Sequence, residues 1–220
     1  VVSTMQTGGL VGLAALDGSK MTTIEDCKVE GGSVVGQAGG GGTGYETGGL
    51  AGRVEGSLVN KSLSTATVNG LDRVGGLVGA SATGSELRAC GAVSTVNGNT
   101  ELGGLAGCSE GLVYGCRFGG YLYGGAGNYI GGLVGYLGAG SILGGSAIAS
   151  VSGGSFVGGL VGYGQAGAGP IHQSYALANI QASGTTAGGL VGHCAVAVYD
   201  SWGKGVVQGG TTIGGLVGNL

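Results

Sequence analysis

Thiols, imidazoles, carboxylates and phenols are the groups in this 220-residue chain that could do chemistry, and their spacing decides which chemistry is open to them. The five cysteines, Cys27, Cys90, Cys108, Cys116 and Cys194, are odd in number, so they cannot all pair within the chain. All five are candidates for a disulfide or for a bond to another chain. His193 and Cys194 are neighbours and would point to opposite faces of a strand, and no second Cys or His pair stands at zinc spacing. The calcium-binding Gly-Gly-x-Gly-x-Asp nonapeptide is missing from every glycine run. Both histidines therefore read as structural. Carboxylates such as Glu86 and Glu101 are scattered, and the chain has neither a nucleophile elbow nor a phosphate loop. The expectation is no enzyme, no metal and no cofactor. Tyr114, Tyr121, Tyr123, Tyr129 and Tyr136 crowd together, which leaves carbohydrate stacking open beside the competing role of core or interface packing.

These residues are set out by a repeat. Gly-Gly-Leu-Val/Ala-Gly recurs with its leucine at Leu10, Leu50, Leu77, Leu105, Leu133, Leu160, Leu190 and Leu216, at intervals of 40, 27, 28, 28, 27, 30 and 26 residues. A period of that size means a stacked array in which each unit buries its face against the next. A second column of small residues, Ser62, Cys90, Cys116, Ser146, Ser174 and Ser201, with Cys27 in the longer first unit, follows each leucine by 11 to 14 places apart from that first unit. Glycine inside every apolar run costs a helix ~1 kcal/mol per residue, and the apolar positions alternate, so the runs are strands. The fold expected is all-β, a parallel β-solenoid of seven or eight coils with about three short strands per 26–30-residue coil. The eight leucines would form its core ladder. Residues 1–47 are expected to be an irregular, partly solvated start, with a turn at Gly39 to Gly44, and residues 48–220 the regular solenoid of a single elongated domain.

Stacking has consequences for the side chains named above. Cys90 and Cys116 fall in one column of adjacent coils, where Cα atoms ~4.8 Å apart suit either a disulfide or two stacked free thiols. If Leu133 faces the core, strand parity turns Val134 and Tyr136 outward, with Val161, Tyr163, Val191 and His193 in the same two stripes as candidate interface residues. A corner at which leucine and valine both turn inward fits the same letters. Cys108 and Cys194 lie just after this motif, and at least one of them is expected to bridge to another chain.

The 8 Lys and Arg and 11 Asp and Glu make 19 formal charges, far below the usual quarter of a chain, and none falls between Phe118 and Tyr199. A thin solenoid with so bare a surface points to contact with copies of itself. A net charge of −3 without a Lys/Arg cluster points away from nucleic acid. The uncharged stretch 126–145 has the length of a membrane span, but the repeat runs through it, so the chain is not expected to cross a membrane. It starts at Val1 and stops two residues after its last repeat, which reads as a processed product or a fragment; an uncapped last coil would be a template for the next chain, or a cut inside a longer array.

The recurring Ile/Val-Gly-Gly-Leu-Val-Gly, its Ser/Cys column and its Val-x-Gly turn resemble the GLUG-motif repeat of secreted and surface-attached proteins, over about 170 residues. That resemblance implies a β-solenoid stalk without catalytic activity. The low charge and the cysteines are similar in character to the self-polymerising, amyloid-like proteins of methanogen sheaths. The expected function is a self-assembling extracellular or cell-surface fibre, sheath or coat, joined by edge-strand pairing and apolar face packing and locked by disulfides. A repeat stalk of a surface adhesin is the alternative.

Overall fold

Alternating apolar runs interrupted by glycine build short strands, and in the computed structural model of this protein no helix occurs among the described residues, 2–3, 5–37 and 46–220. The expected turn at Gly39 to Gly44 lies outside them. One coil shows the plan. Asp72–Gly75 runs to a corner at Gly76 and Leu77, followed by Val78–Ser81 and a turn in which the Ser85 amide donates to the Ala82 carbonyl at 3.0 Å. Glu86–Arg88, a second corner at Ala89 and Cys90, and Gly91–Asn97 complete the turn. A coil therefore has four strands rather than three. The run from Leu87 to Val96 reads as one strand in sequence, but Ala89 takes a left-handed φ of 49° and bends it into two.

Equivalent strands stack in parallel into sheets of eleven, eight, eight and seven strands. The eleven-stranded one, here the wide sheet, carries the longest strands; Arg117–Tyr123 and Ser146–Gly153 pair in it residue for residue from Arg117↔Ser146 to Tyr123↔Ser152. The start of the chain is built into the same stack: Gln6–Gly8 pairs with Glu46–Gly48, Val11–Ala14 with Ala51–Val54, and Thr23–Glu25 with Leu58–Asn60. Among the described residues the main departure from the repeat there is an excursion over residues 15–22, closed by an antiparallel bridge between Asp17 and Lys20. Glu25, Asp26, Lys28 and Glu30 are exposed on this first coil.

The solenoid makes about six turns, fewer than the seven or eight expected from the leucine count. Leu50, Leu77, Leu105, Leu133, Leu160 and Leu190 are fully buried, each amide donating to the next leucine's carbonyl at 2.8–3.0 Å, whereas Leu10 (55 % exposed) and Leu216 (43 %) begin and end the ladder with one neighbour each. Burial of each inner leucine contributes about 2 kcal/mol. Columns of Val59, Leu87, Val113, Ile142 and Ile171, and of Val68, Val96, Leu122, Val151 and Ile180, line the rest of the core.

At the glycine corner, strand parity fails. Val134, Val161 and Val191 are fully buried, so they belong to the core and not to an outer interface; the chain turns between Gly-Gly and Leu, and leucine and valine both face inward. The strands before and after the corner fold back on each other with backbone against backbone. A Cβ on Gly103 would lie 1.8 Å from the Ala106 carbonyl oxygen, and one on Gly135 2.7 Å from the Leu102 amide and the Gly107 carbonyl. No other residue fits at either position.

The small-residue column has a different member and a clear job. Register aligns Arg117 with Ser146, so Gly145 and not Ser146 stands over Cys116. Backbone amides donate along the column from coil to coil: Cys27 to Ser62 Oγ at 3.1 Å, Ser62 to Cys90 Sγ at 3.5 Å, Cys90 to Cys116 Sγ at 3.4 Å, Gly145 to Ser174 Oγ at 3.0 Å and Ser174 to Ser201 Oγ at 3.1 Å. The Cys90 thiol donates to the Val59 carbonyl and that of Cys116 to the Leu87 carbonyl, each at 3.3 Å. Only a small side chain with one donor and one acceptor satisfies the corner in this way. Both cysteines are free thiols, which selects stacked thiols over the disulfide.

Candidate functional site

The fold-back at each Gly-Gly-Leu corner has an open side, and two columns line it: the residue four places before each leucine and the one three places after. The first runs Gln6, Glu46, Arg73, Glu101, Tyr129, Phe156, Thr186, Thr212. The second, aligned by strand register, runs Leu13, Arg53, Ala80, Cys108, Tyr136, Tyr163, His193, Asn219. Together they form a ledge along the solenoid, ionic over its first coils and aromatic over the later ones.

In the ionic half, Glu46 is only 4 % exposed and accepts from Arg53 Nη1 at 2.5 Å and Arg73 Nη1 at 3.2 Å. Arg73 Nε continues to Glu101 Oε2 at 3.0 Å, and Arg53 Nε to Glu55 Oε1 at 2.5 Å. Burial holds the Glu101 carboxyl above its usual range, against the pull of Arg73. Next to them Cys108 is 6 % exposed, and burial, then the Glu101 carboxylate, push its thiol up to about 12. At neutral pH it is a protonated, weakly nucleophilic thiol.

The aromatic half joins rings from three coils. Tyr136 stacks on Tyr163 (centroids 5.6 Å, planes 8° apart) and Tyr163 on His193 (4.6 Å, 21°), while Tyr129 stacks on Phe156 (5.4 Å, 21°). Across the open side the two columns meet edge to face: Tyr129 with Tyr136, Phe156 with Tyr163 and Phe156 with His193, at 5.8, 5.6 and 5.9 Å. All five rings are half-buried. The Tyr136 hydroxyl donates to Gln165 Oε1, and Asn219 Nδ2 pairs with His193 Nδ1 at 3.2 Å. Arg73, Glu101, Tyr129 and Phe156 hold φ of 49°, 51°, 62° and 56°, so four successive coils place a large side chain where backbone strain favours glycine.

Other candidates are dispersed. Tyr163, His193 and Tyr136 come together on the ledge as Tyr129 does, but Tyr114, Tyr121 and Tyr123 lie on other faces. Phe156 was not legible as a member until its column was aligned on the leucine. Cys108 and Cys194 are both buried, with Cys194 pushed up by burial, so neither offers a sulfur to another chain, contrary to expectation. Cys27 is half-buried and its thiol faces the Glu25 carbonyl at 3.3 Å. His172 Nε2 lies 2.9 Å from Asp200 Oδ2, away from any cysteine partner. Among the described residues no group of three His, Cys, Asp or Glu side chains is placed to hold a metal ion, and no helix is long and apolar enough to cross a membrane. No protein-family model, curated protein or solved structure matches this chain, so the geometry alone speaks for its function.

Proposed function

We propose that this protein is a structural, non-catalytic element of an extracellular or cell-surface fibre, sheath or coat, built from copies of itself. One observation carries the reading. The outer face of the wide sheet presents Val93 (55 % exposed), Ile148 (56 %), Tyr121 (53 %) and Tyr123 (51 %), and the last three lie in the segment without formal charge. Gly119 stands between Val93 and Ile148 in their column, so the two side chains flank a gap one coil wide. Apolar sheet faces pack on one another at ~10 Å, and an exposed patch of this kind marks a contact. Face packing carries the proposal because it holds whatever covers the first and last coils. No disulfide is part of it, since four of the five thiols are buried.

Sedimentation velocity over a concentration series tests it. Wild-type protein is expected to associate reversibly or into large species, and the Val93→Lys/Ile148→Lys variant to shift toward monomer with unchanged circular dichroism. A wild type that stays monomeric at its highest soluble concentration would leave the alternative, a stalk of the kind the GLUG resemblance implies. That second reading is favoured by the parallel register of the described strands, kept through all four sheets, which makes a stiff spacer.

A further inference from the structure

We propose that two copies of this protein pair through their wide sheets about a two-fold axis that lies along the strands, midway between Arg117–Tyr123 and Ser146–Gly153. The two solenoids then run antiparallel, and each copy sets its large side chains against the small ones of the other. The proposal rests on the face packing put forward above and adds to it the partner and the register.

The first observation is a pattern of size. On the outer face of the two central strands Gly119 lies beside Ile148, Tyr121 beside Ser150 and Tyr123 beside Ser152, and Arg117 beside Ser146 completes the row. Each column thus carries one bulky and one small residue. A two-fold along the strands keeps the columns and exchanges the strands, so Ile148 of one copy meets Gly119 of the other and the tyrosines meet serines. One coil further out the match continues: Gly91 meets Tyr175, Val93 meets Leu177, and Asn97 meets Gln181, amide to amide. Sheets packed within about 30° of alignment keep these pairings near the axis. A two-fold along the solenoid axis would reverse the columns instead, setting Tyr123 on Arg117 and Ser152 on Ser146, large on large and small on small.

The second is space. A Cβ on Gly119 would meet nothing nearer than Val93 Cγ2 at 4.0 Å, so the gap between Val93 and Ile148 is empty and takes one aliphatic side chain. A groove of about 370 Å³ opens on the same face, lined among others by Tyr123, Ser150, Ser152, Asn179 and Gln181. The two-fold places Tyr121 and Tyr123 of the second copy over Ser150 and Ser152, at this groove. Both rings are about half exposed and lie parallel, with planes 6° apart, so they enter side by side.

The third is extent and charge. The levels from Leu63–Ser64 to Trp202–Lys204 overlap under this axis, and six strand spacings of ~4.8 Å by seven residues of ~3.3 Å make roughly 650 Å² per copy, near the ~800 Å² per partner of a specific interface. In the four strands nearest the axis Arg117 is the one charged residue. It faces Ser146 of the other copy and stands exposed in the column next to the corner, where water reaches it. Such a contact closes on itself, so the pair is a unit, and a longer assembly adds a different surface.

Exchanging the knob and the hole tests the register, with sedimentation velocity over a concentration series as the readout. Gly119→Ile and Ile148→Gly should each raise the concentration of half-association about tenfold, the first by overfilling the gap and the second by emptying it. Gly119→Ile/Ile148→Gly restores knob against hole only under this two-fold, and should return to within about threefold of wild type. Tyr123→Ser, Ser152→Tyr and Tyr123→Ser/Ser152→Tyr form a second, independent cycle, which decides should a glycine or isoleucine variant not fold by circular dichroism. Single variants that associate like wild type, or a double variant no tighter than its weaker single, would overturn the two-fold and leave face packing in place. A monomeric wild type would overturn both.

Discussion

In the coils of Glu46, Arg73 and Glu101 the ledge is held by charge, and in those of Tyr129, Phe156 and His193 it is held by stacked rings, on the same backbone and in the same register. The ionic half is closed on itself. Each arginine faces two carboxylates, and Glu46 has been taken out of water by the pairing. The aromatic half is also packed on itself, with Tyr163 between Tyr136 and His193 and each edge-to-face or offset pair contributing ~1 kcal/mol. A β-solenoid thus lets one rim position be an ionic staple in one coil and a stacked ring in another without altering the core, since rim and core residues occupy separate columns.

The contrast is broken most severely at Glu46. Its carboxylate is the shared partner of Arg53 and Arg73, whose side chains are 24 % and 39 % exposed, so its removal leaves two cations that water reaches only in part. Glu46→Ala is expected to lower unfolding free energy in urea by about 2 kcal/mol, a figure reduced from the buried-pair range because the arginines are partly solvated. Glu46→Gln, which keeps an acceptor, should lose less. A loss under about 0.5 kcal/mol for the alanine variant would show that the ionic half is surface decoration.

The junction between the halves gives a pH test. Cys108 sits one coil below Tyr136 and beside Glu101, with its thiol pushed up to about 12 from 9.0. An acid with a raised folded pKa keeps its proton while the unfolded chain loses it, so its contribution to stability is intact below pH 9 and lost as pH rises toward 12. Between pH 8 and pH 10 the wild type should therefore lose about 1.3 kcal/mol more than Cys108→Ala, measured as the difference of two urea midpoints. Alanine suits the site, since Ala80 is buried in the same column one coil away. Parallel pH curves for the two proteins would mean that water reaches the thiol.

The leucine period and the alternation of apolar residues made the stack, its parallel sense and its core ladder legible, because they are properties of columns and a column is a spacing. Parity was the step that did not carry through the corner. It placed Val134 outside although Val134 is fully buried, since alternation holds only within a strand and the chain turns at Gly132 and Leu133. The same limit hid the ledge. Tyr129 and Phe156 are conspicuous only when counted four places back from Leu133 and Leu160, across a corner that no periodicity rule spans. The free thiols of Cys90 and Cys116 were equally out of reach, because a spacing that permits a disulfide also permits the amide-to-sulfur ladder that occurs.

The smallest effect separates the halves by sign. Lys61 and Phe156 both hold left-handed backbone, φ 47° and 56°, but Lys61 is exposed and its pair with Glu25, at 3.9 Å, is open to solvent on both sides. Lys61→Gly relieves the strain, gives back part of the gain through the freer unfolded chain, and should net roughly 0.5–1 kcal/mol of added stability. Phe156→Gly relieves the same strain but removes the stack on Tyr129 and the edges against Tyr163 and His193, so its net effect should be a loss of similar size. Urea midpoints of the two variants decide. If Phe156→Gly also stabilises, the ring contacts are worth less than the strain they accompany, and the aromatic half is not held by its stacks as the ionic half is held by its ion pairs.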